Sequence, residues 1–384
     1  EVRRACLSVK RFGMEEKMKE WMRPVWDGGE VFRETMAMVE ENGICAAPFL
    51  YEPEEILWIE SYDGTRIYEM GRDCYVEERK LVLTEDSRIP RAGWENFYYG
   101  NREEAEEGQK RLSIDFGPVE TTDAKFVHLD AIGHPELVTG FQIAVTYRTK
   151  ERWQGTVPAS GLEVLPRFRE KAKKKELTRL VLYGDSISCG YDCSGMYGQK
   201  PGQPVWPLLL KDSLEAFYQM EVELINTSVG GMASDWALEH VQENVCDYRP
   251  DLVLLGFGMN DRCPGKEYAQ KTERLIDAVR AGCPEAEIVL MATSLPNPLV
   301  KTAPFYFWAY QDEYADALRK LCGPGIALAD IQGVQKSLMQ RKRYIDLTGN
   351  LLNHPNDYLA RIQAQVLDSV LRGWYVRKPL CGAG

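Results

Sequence analysis

The chain lacks several things, and each shortage removes a class of function. Its 384 residues contain no apolar run near the ~18 residues that a membrane helix requires, so no spanning segment is expected. Basic residues are outnumbered, with 47 Lys and Arg against 58 Asp and Glu, and the net charge of −11 argues against nucleic acid as a general partner. Ten cysteines, at positions 6, 45, 74, 189, 193, 246, 263, 283, 322 and 381, form no Cys-x-x-Cys pair and have no histidine at zinc-like spacing. That usage predicts free, buried thiols in a reducing, cytoplasmic setting, no metal and no cofactor. Cys189 and Cys193 flank the loop that follows Gly184-Asp185-Ser186, where a redox role is the lesser reading. The first residues lack the apolar core of a signal peptide, although the chain opens at Glu1 and leaves room for a leader removed earlier. Histidine is scarce, only four in all, so each can be weighed singly.

What remains is the composition of a globular protein, 44% apolar and 10% aromatic, long enough for two domains. Residues 1–28 form a lead-in that the pattern does not assign. From residue 29 short alternating segments follow one another, at 31–39, 56–61, 66–70, 80–84, 111–116, 125–129 and 141–147, with turn signals such as Asp63-Gly64 and Gly117-Pro118 between them. This texture predicts an antiparallel β-sandwich, jelly-roll-like, over 29–165. Residues 166–177 are rich in Lys and Arg and read as a solvated linker. His128 lies inside an alternating strand and reads as structural, and His134 precedes Pro135 in a turn with no serine, cysteine or carboxylate pattern around it that would make it catalytic.

From residue 178 to 376 apolar strands alternate with amphipathic helices, the pattern of a parallel sheet covered on both faces, before a short tail at 377–384. Strands are expected at 180–183, 223–225, 252–257, 288–292 and 326–329. Helical stripes are expected through Leu210, Leu214 and Phe217, through Tyr268, Leu275, Ile276 and Val279, and through Leu359, Ile362, Val366 and Val370. Right-handed crossovers bring every strand's carboxyl end to one rim, where ligands bind in such sheets. On that rim fall Gly184-Asp185-Ser186, the glycine pair before Met232, Asn260-Asp261, and His354-Pro355. Singly, these are ordinary turns and caps. Together, a serine, a glycine, an asparagine and a histidine at strand ends are what acyl transfer needs.

In this order, Gly184-Asp185-Ser186-Ile187, Asn226-x-Ser228-x-x-Gly231, Gly258-x-Asn260-Asp261 and His354-Pro355 resemble the four blocks of the SGNH or GDSL hydrolases. The resemblance implies a flavodoxin-like α/β/α domain, and a preceding β-sandwich is similar to the layout of some carbohydrate acetylesterases of that superfamily. It implies Ser186 as nucleophile and His354 as general base, with an oxyanion hole from the Ser186 and Gly231 N–H groups and the Asn260 amide. Asp185 and Asp261 would brace the loops behind them. The family's usual aspartate, three residues before the histidine, is Leu351 here. The favoured reading is therefore a Ser186–His354 dyad steadied by a backbone carbonyl, with Asp346 as the alternative.

The expected substrate is a small-molecule or oligosaccharide ester, foremost an O-acetyl group on carbohydrate. The aromatic residues at 305–308 and Trp236 are candidates for the cleft wall. Competing readings are a lipid or thioester hydrolase and a catalytically silent glycan-binding protein. Oligomeric state is left open.

Overall fold

The structure is a computed structural model that describes residues 20–110, 117–300 and 309–373. The expected strand at 111–116 and the aromatic cluster at 305–308 lie outside the described residues. Among the described residues ten strands precede position 178: β1 (Glu30–Ala37), β2 (Val39–Glu41), β3 (Ile44–Pro48), β4 (Glu55–Ser61), β5 (Ile67–Tyr68), β6 (Cys74–Glu77), β7 (Lys80–Leu83), β8 (Tyr98–Tyr99), β9 (Phe126–Val127) and β10 (Gln142–Arg148). They build two antiparallel four-stranded sheets, ordered β1-β10-β4-β5 and β2-β3-β7-β6, and a β8-β9 ribbon. Met36, Ile59 and Val145 from the first sheet meet Ala47, Leu81 and Leu83 from the second in one apolar cluster, which makes the pair a sandwich. Short helices at Arg102–Gln109 and Glu136–Thr139 interrupt the β character.

Five further strands, β11 (Thr178–Gly184), β12 (Val222–Asn226), β13 (Leu252–Gly256), β14 (Glu287–Met291) and β15 (Ile326–Ala329), pair in parallel in the order β12-β11-β13-β14-β15. Period-two alternation divides their side chains between two cores. Leu180, Leu182, Leu252 and Leu254 face one cluster, whereas Val181, Tyr183, Val253 and Leu255 face the other, where helix Gly265–Gly282 supplies Tyr268, Leu275, Ile276 and Val279. Sheets covered on both faces need such continuous apolar strands, and β13 and β14 are buried at every residue.

The sandwich and the parallel sheet share the first of those cores. Helix Asp357–Arg372 lies in it, buried at every residue from 357 to 371, and its Leu359, Ile362, Val366 and Val370 belong to the same cluster as Tyr147 of the sandwich. A polar seam reinforces the joint. Lys342 donates to Glu34 Oε1 at 2.6 Å and to the Pro48 carbonyl at 2.7 Å, while Glu34 also accepts from Leu50 N and the Tyr147 hydroxyl. Both charged side chains are fully buried.

Two local expectations are corrected. Residues 166–177, read as a solvated linker, are helical over Pro166–Lys174, with Phe168 and Ala172 buried. The proline pre-sets the first turn, and the Glu287 carboxylate accepts from the amides of Arg167 and Phe168, which the helix itself cannot satisfy. Phe217, expected on a buried stripe, is instead exposed and holds the Arg372 guanidinium over its ring at 4.0 Å.

Removing one member of a buried ion pair leaves the other charge uncompensated, which costs about 3–5 kcal/mol. Lys342→Met is therefore expected to lower unfolding free energy by that order in urea titrations. A loss under about 1 kcal/mol would mean that the seam contributes little to joining the two parts.

Candidate active site

Strand β11 delivers Ser186 to the rim. Its last residue, Gly184, can carry no side chain: a Cβ there would come within 2.2 Å of Ser188 Oγ and 2.6 Å of the Gly256 carbonyl. Asp185 caps the one-turn helix Ser186–Cys189 by accepting from Ile187 N at 3.0 Å, and Gly190 ends that turn with φ +86°. The chain then passes through Tyr191 and Asp192, the latter also left-handed at φ +61°. Aspartate tolerates that region better than most residues, at a cost on the order of 1 kcal/mol.

His354 reaches the serine from a loop knotted by its own polar groups. Asn350 Oδ1, fully buried, accepts from the amides of Leu352, Asn353 and His354 at 3.0–3.1 Å, while Thr348 Oγ1 and Gly349 N donate to the His354 carbonyl. The ring so placed has Nε2 at 2.8 Å from Ser186 Oγ and Nδ1 at 2.5 Å from Asp192 Oδ2. A ring nitrogen facing a carboxylate holds the proton, so Nδ1–H donates to Asp192 and Nε2 accepts from the serine hydroxyl. All three groups are buried.

The histidine's partner is therefore neither a backbone carbonyl nor Asp346. Asp346 is fully committed elsewhere, accepting from Ala37 N at 2.8 Å and from Arg343 N and its guanidinium. Leu351, at the family's usual aspartate position, has φ +65° and packs with Val300, Ile345 and Leu352. The carboxylate on the ring comes instead from the loop after Ser186. Its signal in the sequence was only an aspartate six residues after that serine, in a stretch where no periodicity marks it.

The remaining candidates sit on adjoining loops. Asn260 Nδ2 donates to the Met232 carbonyl at 3.1 Å, tying the loop after β13 to the loop that carries Gly231, whose φ is +80°. Asp261 Oδ1 accepts from Ser234 N at 3.1 Å, and Asp185 Oδ2 from Met259 N at 3.3 Å, so both aspartates join loops. Trp236 is half-buried, its ring stacked on His240 at 4.4 Å and leaning on Tyr183. The two thiols nearby are held protonated, since burial pushes Cys189 up to about 11 and Cys193 well above the ordinary thiol range. Among the described residues no group of three His, Cys, Asp or Glu could hold a metal ion, and no helix is long and apolar enough to cross a membrane.

The model of the GDSL-like lipase/acylhydrolase family matches residues 182–362. An arylesterase from Vibrio mimicus is 30% identical over 157 residues, covering 40% of this chain and 70% of that protein. Among solved structures, a two-domain esterase active on acetylated mannans, co-crystallised with mannopentaose, aligns with a TM-score of 0.44 and 18% identity, over 57% of this chain and 55% of its own length. A catalytic mutant of Axe2, an acetylxylan esterase from Geobacillus stearothermophilus, aligns at 0.41 and 15% identity, over 53% and 97%.

Burial raises Asp185 to about 7, and the Ile187 and Met259 amides and the nearby His354 only partly offset it. The folded protein then holds a proton that the unfolded chain releases from about pH 4 upward, so this group's contribution to stability falls as pH rises toward 7. Asp185→Asn removes the titration while losing one amide contact. Its melting temperature relative to the parent should rise between pH 4.5 and 7, and a constant difference would mean that Asp185 stays ionised.

Proposed function

Since the chain belongs to the GDSL-like lipase/acylhydrolase family and is a carboxylic ester hydrolase, we propose that it removes short acyl groups, foremost acetyl, from carbohydrate hydroxyls through a Ser186–His354–Asp192 triad. The observation that supports this most is the unbroken line of hydrogen bonds from Ser186 Oγ through the His354 ring to Asp192. Ser186 Oγ attacks the ester carbonyl as its proton passes to Nε2, and the Asp192 carboxylate stabilises the imidazolium that forms. The tetrahedral oxyanion is received by the Ser186 and Gly231 N–H groups and by the Asn260 amide, one of whose two protons is already given to Met232. Collapse expels the alcohol, which takes the proton back from Nε2. Water then repeats the sequence on the acyl-serine, regenerating the hydroxyl and releasing the acid.

The preference for a small acyl group rests on the neighbours of the triad. The Tyr191 ring meets the His354 ring edge-on, with centroids 6.0 Å apart, and on another side lies so close to Gly230 that a Cβ there would stand 3.0 Å from it. Packing this close favours acetyl over a fatty chain. The carbohydrate leaving group rests on the two-part layout, and the arylesterase relative keeps aryl esters as a second class.

Rates on p-nitrophenyl esters should fall from acetate to octanoate, and Ser186→Ala should abolish both that activity and acetate release from acetylated glycans. Activity rising with chain length would overturn the acetyl reading. Asp192→Asn should lower kcat by about 10³–10⁴ with KM little changed, as loss of the orienting carboxylate does in serine hydrolases. Asn260→Ala should cost about 10²–10³ in kcat. An Asp192→Asn enzyme at full rate would reduce the triad to a dyad.

A further inference from the structure

We propose that the β-rich region is a working part of the active site, because it holds the triad carboxylate. The inference rests on the triad reading above and assigns positioning roles to Gly133 and Tyr197. Asp192 spends one oxygen, Oδ2, on the histidine. The other, Oδ1, is held from two sides: Gly133 N donates at 2.8 Å and the Tyr197 hydroxyl at 3.2 Å. Gly133 belongs to the segment before β10, on the turn that leads into helix Glu136–Thr139. Tyr197 closes the 3-10 turn Ser194–Tyr197 that follows Asp192.

Each donor is built for the task. The turn at Gly133 requires φ +78°, with His134 N bonded back to the Ala131 carbonyl, and that backbone aims the N–H at the carboxylate. Tyr197 is exposed as a whole, yet its hydroxyl lies against the Asp192 carboxylate, and partial burial with that adjacent charge raises its phenol, so it keeps its proton and donates. A second bridge backs the contact: Gln199 Nε2 donates to Glu136 Oε2 at 3.1 Å, joining the same two segments. A carboxylate that accepts two hydrogen bonds at one oxygen can rotate little, so its other oxygen stays on Nδ1 and the imidazole stays aimed at the serine.

The two donors also draw charge from the carboxylate. Without one of them, Asp192 stabilises an imidazolium more strongly, and the acid limb of the kcat/KM profile moves to higher pH. The other titratable groups around the pair are Asp185, whose charge acts on His354, and Cys193 with Tyr62 and Asp357 behind it, and the variants below leave all of them in place.

The test compares Tyr197→Phe, Gly133→Val and Gly133→Asn with the parent on p-nitrophenyl acetate, with melting temperature recorded for each. Tyr197→Phe is expected to lower kcat about tenfold at unchanged KM and to shift the acid limb upward. A Cβ at Gly133 meets nothing within 4 Å, so only its backbone conformation is at stake. Asparagine, which accepts a left-handed φ, should retain most activity, whereas valine, which resists it, should lose about tenfold or more in kcat. If Asp192→Asn is inactive while Tyr197→Phe and Gly133→Val keep the parent's kcat and acid limb, the positioning roles of Gly133 and Tyr197 are overturned and the triad stands. If Asp192→Asn is itself fully active, the triad reading fails first. Lower melting temperature with an unmoved pH profile would assign Tyr197 and Gly133 to fold stability alone, against the proposal.

Discussion

One hydrogen bond, from the His354 ring to Asp192, fixes how the imidazole lies at the rim of the parallel sheet. It spans 162 residues of sequence and joins the loop after the first parallel strand to the loop before the last helix. Without it the imidazole has no reason to present Nε2 to Ser186. Everything near the bond bends to it: Gly190 and Asp192 take left-handed backbone, and Gly349 must be glycine because a Cβ would press on the Asp192 carbonyl at 2.4 Å. Asn350 gathers three amides so that the histidine's backbone cannot drift.

That local order rests on a larger constraint. The sandwich and the parallel sheet do not meet as two finished bodies. Helix Asp357–Arg372 is buried in a core common to both, and Asn356, its cap, donates to Thr35, to Gln142 and to the Asp346 carbonyl. Arg361 reaches the carbonyls of Phe32 and Arg33 from the same helix. The histidine lies two residues ahead of that cap, so the packing of the sandwich and the aim of the imidazole are mechanically linked. Polar contacts of this kind, buried and directional, specify one arrangement where apolar contacts alone would permit several.

The parts of this design that depend on periodicity were legible beforehand. Apolar runs at 180–183 and 252–257 read as buried strands, and their alternation divides cleanly between the two cores. The Pro166 segment misled because its charge was read before its proline and its buried Phe168 and Ala172. Charge density describes one face of a helix as readily as a linker. Asp346 misled through proximity in sequence: it lies eight residues before His354, yet Arg343 and the Ala37 amide had already claimed it.

The chain's own residues determined that a serine, a glycine and an asparagine would follow three successive strands and a histidine would precede the helix at Asp357–Arg372, because strand length and parallel crossover fix where each loop emerges. They also determined that an acceptor for the imidazole had to be found outside position 351, where leucine stands. Which acceptor it is, and that an N–H from Gly133 steadies it, only the tertiary structure decided. A side chain's partner depends on which loops packing brings within about 3 Å, and no spacing along the chain encodes that distance.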